Sequence, residues 1–375
     1  MLQRTMFRRI ILPAIILQSV LIGGGYSTGR EIVEYAGKYG TVGWVSLITV
    51  FLGFTVISIL TFELARVTKA YDYKSWIQEI IGPIWPLFDL LLVAMYMVVL
   101  AVMISAVDNV LGQTLGTPTP IAIMVTLTVV VVLAFLGERV IERFKTAGTG
   151  LLFFAYFLFA FLILGSPYDA ASSEMLNSPD FPTGISVSNA IIAGIIYISY
   201  NLLVFPTVLF TLHRQQSRRD TMLSGVTAGL FMTVPFMLTF LCLMKFYPSP
   251  EIFDSEVPWL SMLRRDTGVG AIALYGVVVS WTLLETSVGV INTIVGRIER
   301  SIAPGDGSPT ESRIPPTTKS GIALAILIAA MLLSKIGIID LVAKGYTLLA
   351  YGFMILFAIP LLTIGLHKIL REKPL

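Results

Sequence analysis

Ten apolar runs, joined by short polar stretches, occupy nearly the whole of this 375-residue chain. They lie near 8–36, 42–65, 86–112, 119–137, 147–165, 187–212, 221–246, 268–296, 319–339 and 341–366. A helix of about 20 apolar residues crosses the hydrocarbon core of a bilayer. Inside that core only helices and closed barrels satisfy every backbone polar group, and runs of this length read as helices. Only 13% of the residues are charged, about half of the ~25% that a soluble domain carries. So few charges cannot cover a soluble surface. That excludes a soluble enzyme, a nucleic-acid binder and a disulfide-stapled secreted domain, and the fold class expected is all-α and integral to a membrane.

The remaining totals narrow the chemistry. The formal net charge of +3 is too small to point to an anionic partner. The one cysteine, Cys242, lies in an apolar run and cannot form an intramolecular disulfide. His213 and His367 sit at the ends of apolar segments among basic residues, a poor basis for a metal cluster or a Ser-His triad. No enzyme chemistry and no organic cofactor are expected. Arg4, Arg8 and Arg9 before the run from Ile10 to Ile22 resemble the start of a signal peptide. No small-residue cleavage pattern follows, and the chain runs on into Gly23-Gly24-Gly25, so this segment is expected to be a retained first span.

The positions of the basic residues set the topology. Arg4, Arg8 and Arg9 precede span 1; Arg66, Lys69 and Lys74 follow span 2; Arg139, Arg143 and Lys145 separate spans 4 and 5. The pattern continues with Arg214, Arg218 and Arg219, then Arg297, Arg300, Arg313 and Lys319, and finally Lys368, Arg371 and Lys373. Nineteen of the 26 basic residues thus fall on one side if there are ten spans. The other side receives Lys38, Lys245, Arg264, Arg265 and Lys335. Basic loops stay in the cytoplasm, which puts both termini there in a cytoplasmic (inner) membrane. Residues 1–375 form a single transmembrane domain in this reading.

Two spans are interrupted. Four glycines fall within Gly23 to Gly29 at the middle of span 1, each costing about 1 kcal/mol relative to alanine in a helix. Thr28-Gly29-Arg30-Glu31 then matches the S/T-x-x-E capping box, so a new helix is expected to start at Thr28 with Glu31 reaching back. Close helix crossing on small residues is the other reading of the glycines. In span 6, Tyr197-Ile198-Ser199-Tyr200-Asn201 is followed by Pro206, which breaks the helical hydrogen-bond ladder. Alone, this describes a kinked helix with a polar patch. Spans 1 and 6 open corresponding five-span halves, about 8–165 and 187–366, and five being odd, the second half inserts inverted. Paired interruptions of this kind mark transporter binding sites.

Gly23-Gly24-Gly25-Tyr26-Ser27-Thr28-Gly29-Arg30-Glu31-Ile32 resembles the first-span signature of the YkvI-like membrane proteins, usually G-A-G-F-A-S-G-Q-E-I, with Arg30 where Gln is usual. Tyr197 to Leu202 and Glu285-Thr286-Ser287 resemble two further segments of that family. The resemblance implies the amino acid–polyamine–organocation superfamily, a LeuT-type fold with a five-plus-five inverted repeat, and secondary transport. It also implies a cation site in which carbonyls near Leu21–Gly25, Ile22 and Gly25 among them, and that of Leu283 join the hydroxyls of Thr286 and Ser287 around sodium.

The charges inside the spans form a short list. Glu285, mid-span, costs about 2.5–3.5 kcal/mol on insertion scales and must be paired, protonated or wet. Proton carriage, cation ligation, contact with a substrate ammonium and a helix clasp all fit it. Thr286 and Ser287 can equally bond back to their own helix. Glu31 is either a cap or a coupling group. Asp108 and Asn109, near the outer end of span 3, are either gate residues or interfacial ones, and Lys145 belongs with the cytoplasmic basic edge. Gly225-x-x-x-Gly229 predicts a close helix contact. The function expected is symport of a small amino acid or related zwitterion, coupled to sodium or protons. The substrate is expected to meet Gly23, Gly24, Gly25, Tyr26, Ser27, Thr28, Tyr197, Ser199, Tyr200, Asn201 and Glu285, its carboxylate on free amides around Tyr26 to Gly29. A membrane sensor that binds without transporting is the alternative. The lipid bilayer and a small molecule are the expected partners.

Overall fold

The computed structural model of the chain describes residues 6–118, 121, 124, 128, 138–167, 186–302 and 315–371. Every regular element among them is helical. The N-terminal segment comprises a π-helical turn Phe7–Ile11, α1 (Leu12–Leu21), α2 (Gly24–Thr28) and α3 (Arg30–Tyr35). Then follow α4 (Gly43–Thr68), α5 (Tyr73–Ile81), α6 (Trp85–Leu115) and α7 (Glu138–Gly165). The second half of the chain has α8 (Val187–Asn201), α9 (Arg218–Lys245), α10 (Pro250–Phe253), α11 (Pro258–Asp266), α12 (Val269–Ile302), α13 (Pro316–Ser334) and α14 (Ile338–Arg371). The fourth expected span, 119–137, lies outside the described residues apart from 121, 124 and 128, as does most of the loop near 166–186.

Six of these segments are long and apolar enough to cross a membrane: Gly37–Thr68, Tyr73–Thr114, Val187–Thr207, Arg218–Lys245, Val269–Glu299 and Ile338–Arg371. Leu151–Gly165 and Thr318–Ser334 are shorter apolar helices. Their outward faces are greasy. Trp44, Ile48, Leu52 and Val56 form an exposed stripe at four-residue spacing along α4, and Leu151, Phe154, Phe157, Phe161 and Leu164 form another along α7. Stripes of this size on a monomer mark contact with something apolar, and a lipid bilayer fits their length.

α4 packs along both α9 and α8, and α1 lies against α9, while α6 carries α12 and α13. The α4–α9 contact uses the expected glycines. A Cβ on Gly225 would lie 2.7 Å from the Ile59 backbone nitrogen, and one on Gly229 would lie 3.0 Å from Thr55 Cβ. At the start of α9 a true capping box forms: the Asp220 N–H donates to the Ser217 hydroxyl at 3.2 Å, and the Ser217 N–H donates to the Asp220 carboxylate at 3.2 Å.

Candidate functional site

The first apolar segment is broken at its centre. α1 ends at Leu21; Ile22 (φ −74°, ψ 79°) makes a tight turn in which the Gly23 N–H donates to the Leu21 carbonyl at 2.8 Å, and Gly23 (φ −102°, ψ −159°) is extended. α2 then runs for five residues until Gly29, at φ +86°, turns the chain into α3. A side chain at Gly29 would be strained by that φ, and its Cβ would lie 2.9 Å from Trp259 Cδ1.

The expected capping box at Thr28 does not form. Gly29 occupies the N-cap of α3, and the Thr28 hydroxyl instead donates to the Gly25 carbonyl at 2.8 Å and accepts the Arg30 N–H at 3.3 Å. Glu31 is 4% exposed and points into the protein. Its carboxylate accepts the Tyr200 hydroxyl at 2.7 Å and the Tyr26 backbone N–H. It lies so close over Gly25 that a Cβ there would sit 2.5 Å from Oε1. The reason is local geometry. The left-handed turn at Gly29 carries Glu31 round to the start of α2, where the first amides of a helix lack intrahelical partners. The Tyr26 amide expected to receive a substrate carboxylate is therefore already held by the chain's own.

Other backbone acceptors near the break are also occupied. The Tyr156 hydroxyl donates to the Tyr26 carbonyl at 2.8 Å, and the Tyr275 hydroxyl donates to the Ser27 carbonyl at 3.1 Å. α7 and α12 thereby reach the break through tyrosines that sequence reasoning did not select.

The sixth segment is interrupted differently. α8 stops at Asn201 and tightens into 3-10 turns Leu202–Thr207 and Leu209–Arg214, with Pro206 inside the first. No residue there is extended. The Asn201 side-chain amide donates to the Tyr197 carbonyl at 2.9 Å, and the Ser199 hydroxyl to Ile195 at 2.7 Å. These polar groups bond one turn back along their own helix, whereas Tyr200 reaches across to Glu31. Around that pair the rings of Tyr35 and Tyr197 lie 5.4 and 5.5 Å from that of Tyr200, and that of Tyr346 lies 4.8 Å away. Among the described residues the Tyr26 and Tyr197 hydroxyls are buried without a hydrogen-bond partner, as are both polar atoms of Gln18, one turn before the break.

The other sequence candidates sit further off. Glu285 is half-buried in the middle of α12. Thr286 donates to the Thr282 carbonyl at 2.9 Å and Ser287 to that of Leu283 at 2.7 Å, the back-bonding common in membrane helices. Ser287 also contacts Met103 Sδ at 3.5 Å, and Met103 Cε lies 3.5 Å from the Cβ position of Gly23, so this methionine stands between Ser287 and the break. Asp108 Oδ1 is buried and has no hydrogen-bond partner among the described residues, while Asn109 holds Glu256. Arg30 is held by the carbonyls of Phe253 at 2.5 Å and Ser255 at 3.3 Å and by Glu34 at 3.7 Å. Lys245, placed by sequence on the non-cytoplasmic side at the end of the span 221–246, is 7% exposed and pairs with Asp266 while donating to the Ile163 carbonyl at 2.7 Å.

The likenesses to known proteins agree with this architecture. No family model matches the chain. It is 21% identical over 344 residues to the uncharacterized membrane protein YkvI of Bacillus subtilis (strain 168), covering 90% of this chain and 91% of that one. In structure it is similar to a Na+-coupled sialic acid symporter, with a TM-score of 0.56, 13% identity, and 94% of this chain and 79% of that chain covered. It is also similar to the Eremococcus coleocola manganese transporter, with a TM-score of 0.51, 14% identity, and coverage of 98% and 79%. The chain thus shares the fold of these two transporters, and its apolar helices and its YkvI likeness place it among membrane proteins.

Proposed function

We propose that this chain is a secondary active transporter of the cytoplasmic membrane. It has ten spans, both termini in the cytoplasm, and two inverted five-span halves of the LeuT type, about 8–165 and 187–366. Its solute is a small amino acid or related zwitterion, moved by alternating access around a site between the first and sixth segments and coupled to sodium or protons. The observation that carries the reading is the break at Ile22–Gly23, a tight turn followed by an extended glycine, with Glu31 beyond it bonded to Tyr200 at the end of α8. Extended backbone at membrane depth is tolerated where protein or a watery cavity supplies its partners, and in transporters such breaks line the solute site.

Glu31 and Glu285 are the coupling candidates. A sodium site would draw on the carbonyls of Ile22, Gly25 and Leu283 with Thr286 and Ser287. The Gly25 and Leu283 oxygens each already accept a hydroxyl, but a carbonyl oxygen has a second lone pair to offer. Purified protein in liposomes tests the proposal: uptake of a small amino acid should require a sodium or proton gradient, and Glu285→Gln should change that requirement. Ligand-dependent stabilisation with no uptake under any gradient would instead identify a sensor.

A further inference from the structure

Glu31 has no cationic partner among the described residues. Arg30, its neighbour in sequence, is turned away onto the Phe253 and Ser255 carbonyls and Glu34. Lys245, the other buried cation of the outer half, is taken by Asp266. The two hydrogen bonds from Tyr200 and the Tyr26 N–H replace only part of the hydration that a buried carboxylate gives up. The rings of Tyr35, Tyr197 and Tyr346 pack on that of Tyr200, which bonds to the carboxylate, and the ring of Tyr156 packs on that of Tyr26, whose backbone N–H the carboxylate accepts. Electron-rich rings attract a cation within about 6 Å of their centroids. The Tyr26 and Tyr197 hydroxyls in this group are buried with hydrogen-bonding capacity unused. A solute carboxylate arriving here would meet like charge and find the Tyr26 amide occupied.

We infer that the solute presents a protonated amine to Glu31, with tyrosine rings flanking the ammonium and the Tyr26 and Tyr197 oxygens accepting its N–H groups. The carboxylate of an amino acid is dispensable for this contact; the amine is not. The inference rests on the solute site proposed above and narrows what that site takes.

Three probes of matched size separate the possibilities: ethylammonium, glycine and acetate, each titrated at constant ionic strength against the thermal midpoint of the purified full-length protein. Ethylammonium and glycine should raise the midpoint with concentration, and acetate should not. In Glu31→Gln the apparent affinity for ethylammonium should fall at least about tenfold, the scale of one lost ionic contact. If Glu31→Gln does not fold, Glu31→Asp carries the comparison, with affinity expected to drop about threefold or more. Stabilisation by acetate alone, an ethylammonium response that survives in both Glu31 variants, or no response to either ammonium probe would overturn the inference. Gradient-driven uptake of an amine-free acid, unchanged in Glu31→Gln, would also overturn it while leaving the transporter reading intact. Ethylammonium binding through Glu31 without any uptake would sustain the inference and contradict the transporter reading.

Discussion

The first and sixth apolar segments are both interrupted near their middles, and they are interrupted by opposite means. In the first, the chain turns at Ile22, goes extended at Gly23 and then left-handed at Gly29. In the sixth, Asn201 and Pro206 tighten the helix into 3-10 turns without ever opening it. The open break needs help from elsewhere in the chain, and receives it from Glu31, Tyr156 and Tyr275. In the tightened one Ser199 and Asn201 bond one turn back along their own helix, and its tie to the first segment is the Tyr200 hydroxyl on Glu31. An interruption whose backbone is stitched to distant helices moves when those helices move, whereas one whose backbone stays helical can travel as a unit. The first segment is therefore the more sensitive half of the pair, and substitutions should reveal the asymmetry.

The largest effect is expected at Gly29. Gly29→Ala combines a positive φ with a Cβ 2.9 Å from Trp259, and should lower stability by about 3–5 kcal/mol, seen as a sharp fall in the thermal midpoint. Gly25→Ala should follow, at about 2–3 kcal/mol, because its Cβ displaces the Glu31 carboxylate. It should also reduce uptake, which a purely steric defect far from the site would not. Tyr200→Phe removes one hydrogen bond to a buried carboxylate and should cost about 1.5–3 kcal/mol in the same melt. In the sixth segment Asn201→Ala loses only a local bond, with about 0.5–1.5 kcal/mol expected. If Asn201→Ala proves as damaging as Gly25→Ala, the two interruptions are not as different as their geometry indicates.

Much of this was legible in the sequence. The glycine cluster announced the first break, and the Gly225–Gly229 spacing announced the tight α4–α9 contact, because both follow from what a missing Cβ permits. The partner of Glu31 was not legible. Tyr200 lies 169 residues away, and the S/T-x-x-E pattern gave Glu31 a local role that the turn at Gly29 took away. Tyr156 and Tyr275 had no motif around them; aromatic residues in apolar runs ordinarily fill space, and only the fold shows which hydroxyl meets a broken backbone. Lys245 was assigned to a side of the membrane by its place at the end of a span, while its burial depends on where α11 delivers Asp266. Pro206 signalled an interruption but not its kind, since proline removes one hydrogen bond whether the chain then opens or tightens.

The central claim is that the open break and its carboxylate form the working site. Uptake of a small amino acid into liposomes holding wild-type protein or Glu31→Gln, with and without an ion gradient, tests it directly. The prediction is gradient-dependent uptake in the wild type and at least about tenfold less in a folded Glu31→Gln variant, the loss expected when one buried ionic contact is removed. Equal, gradient-dependent uptake by both proteins would contradict the account.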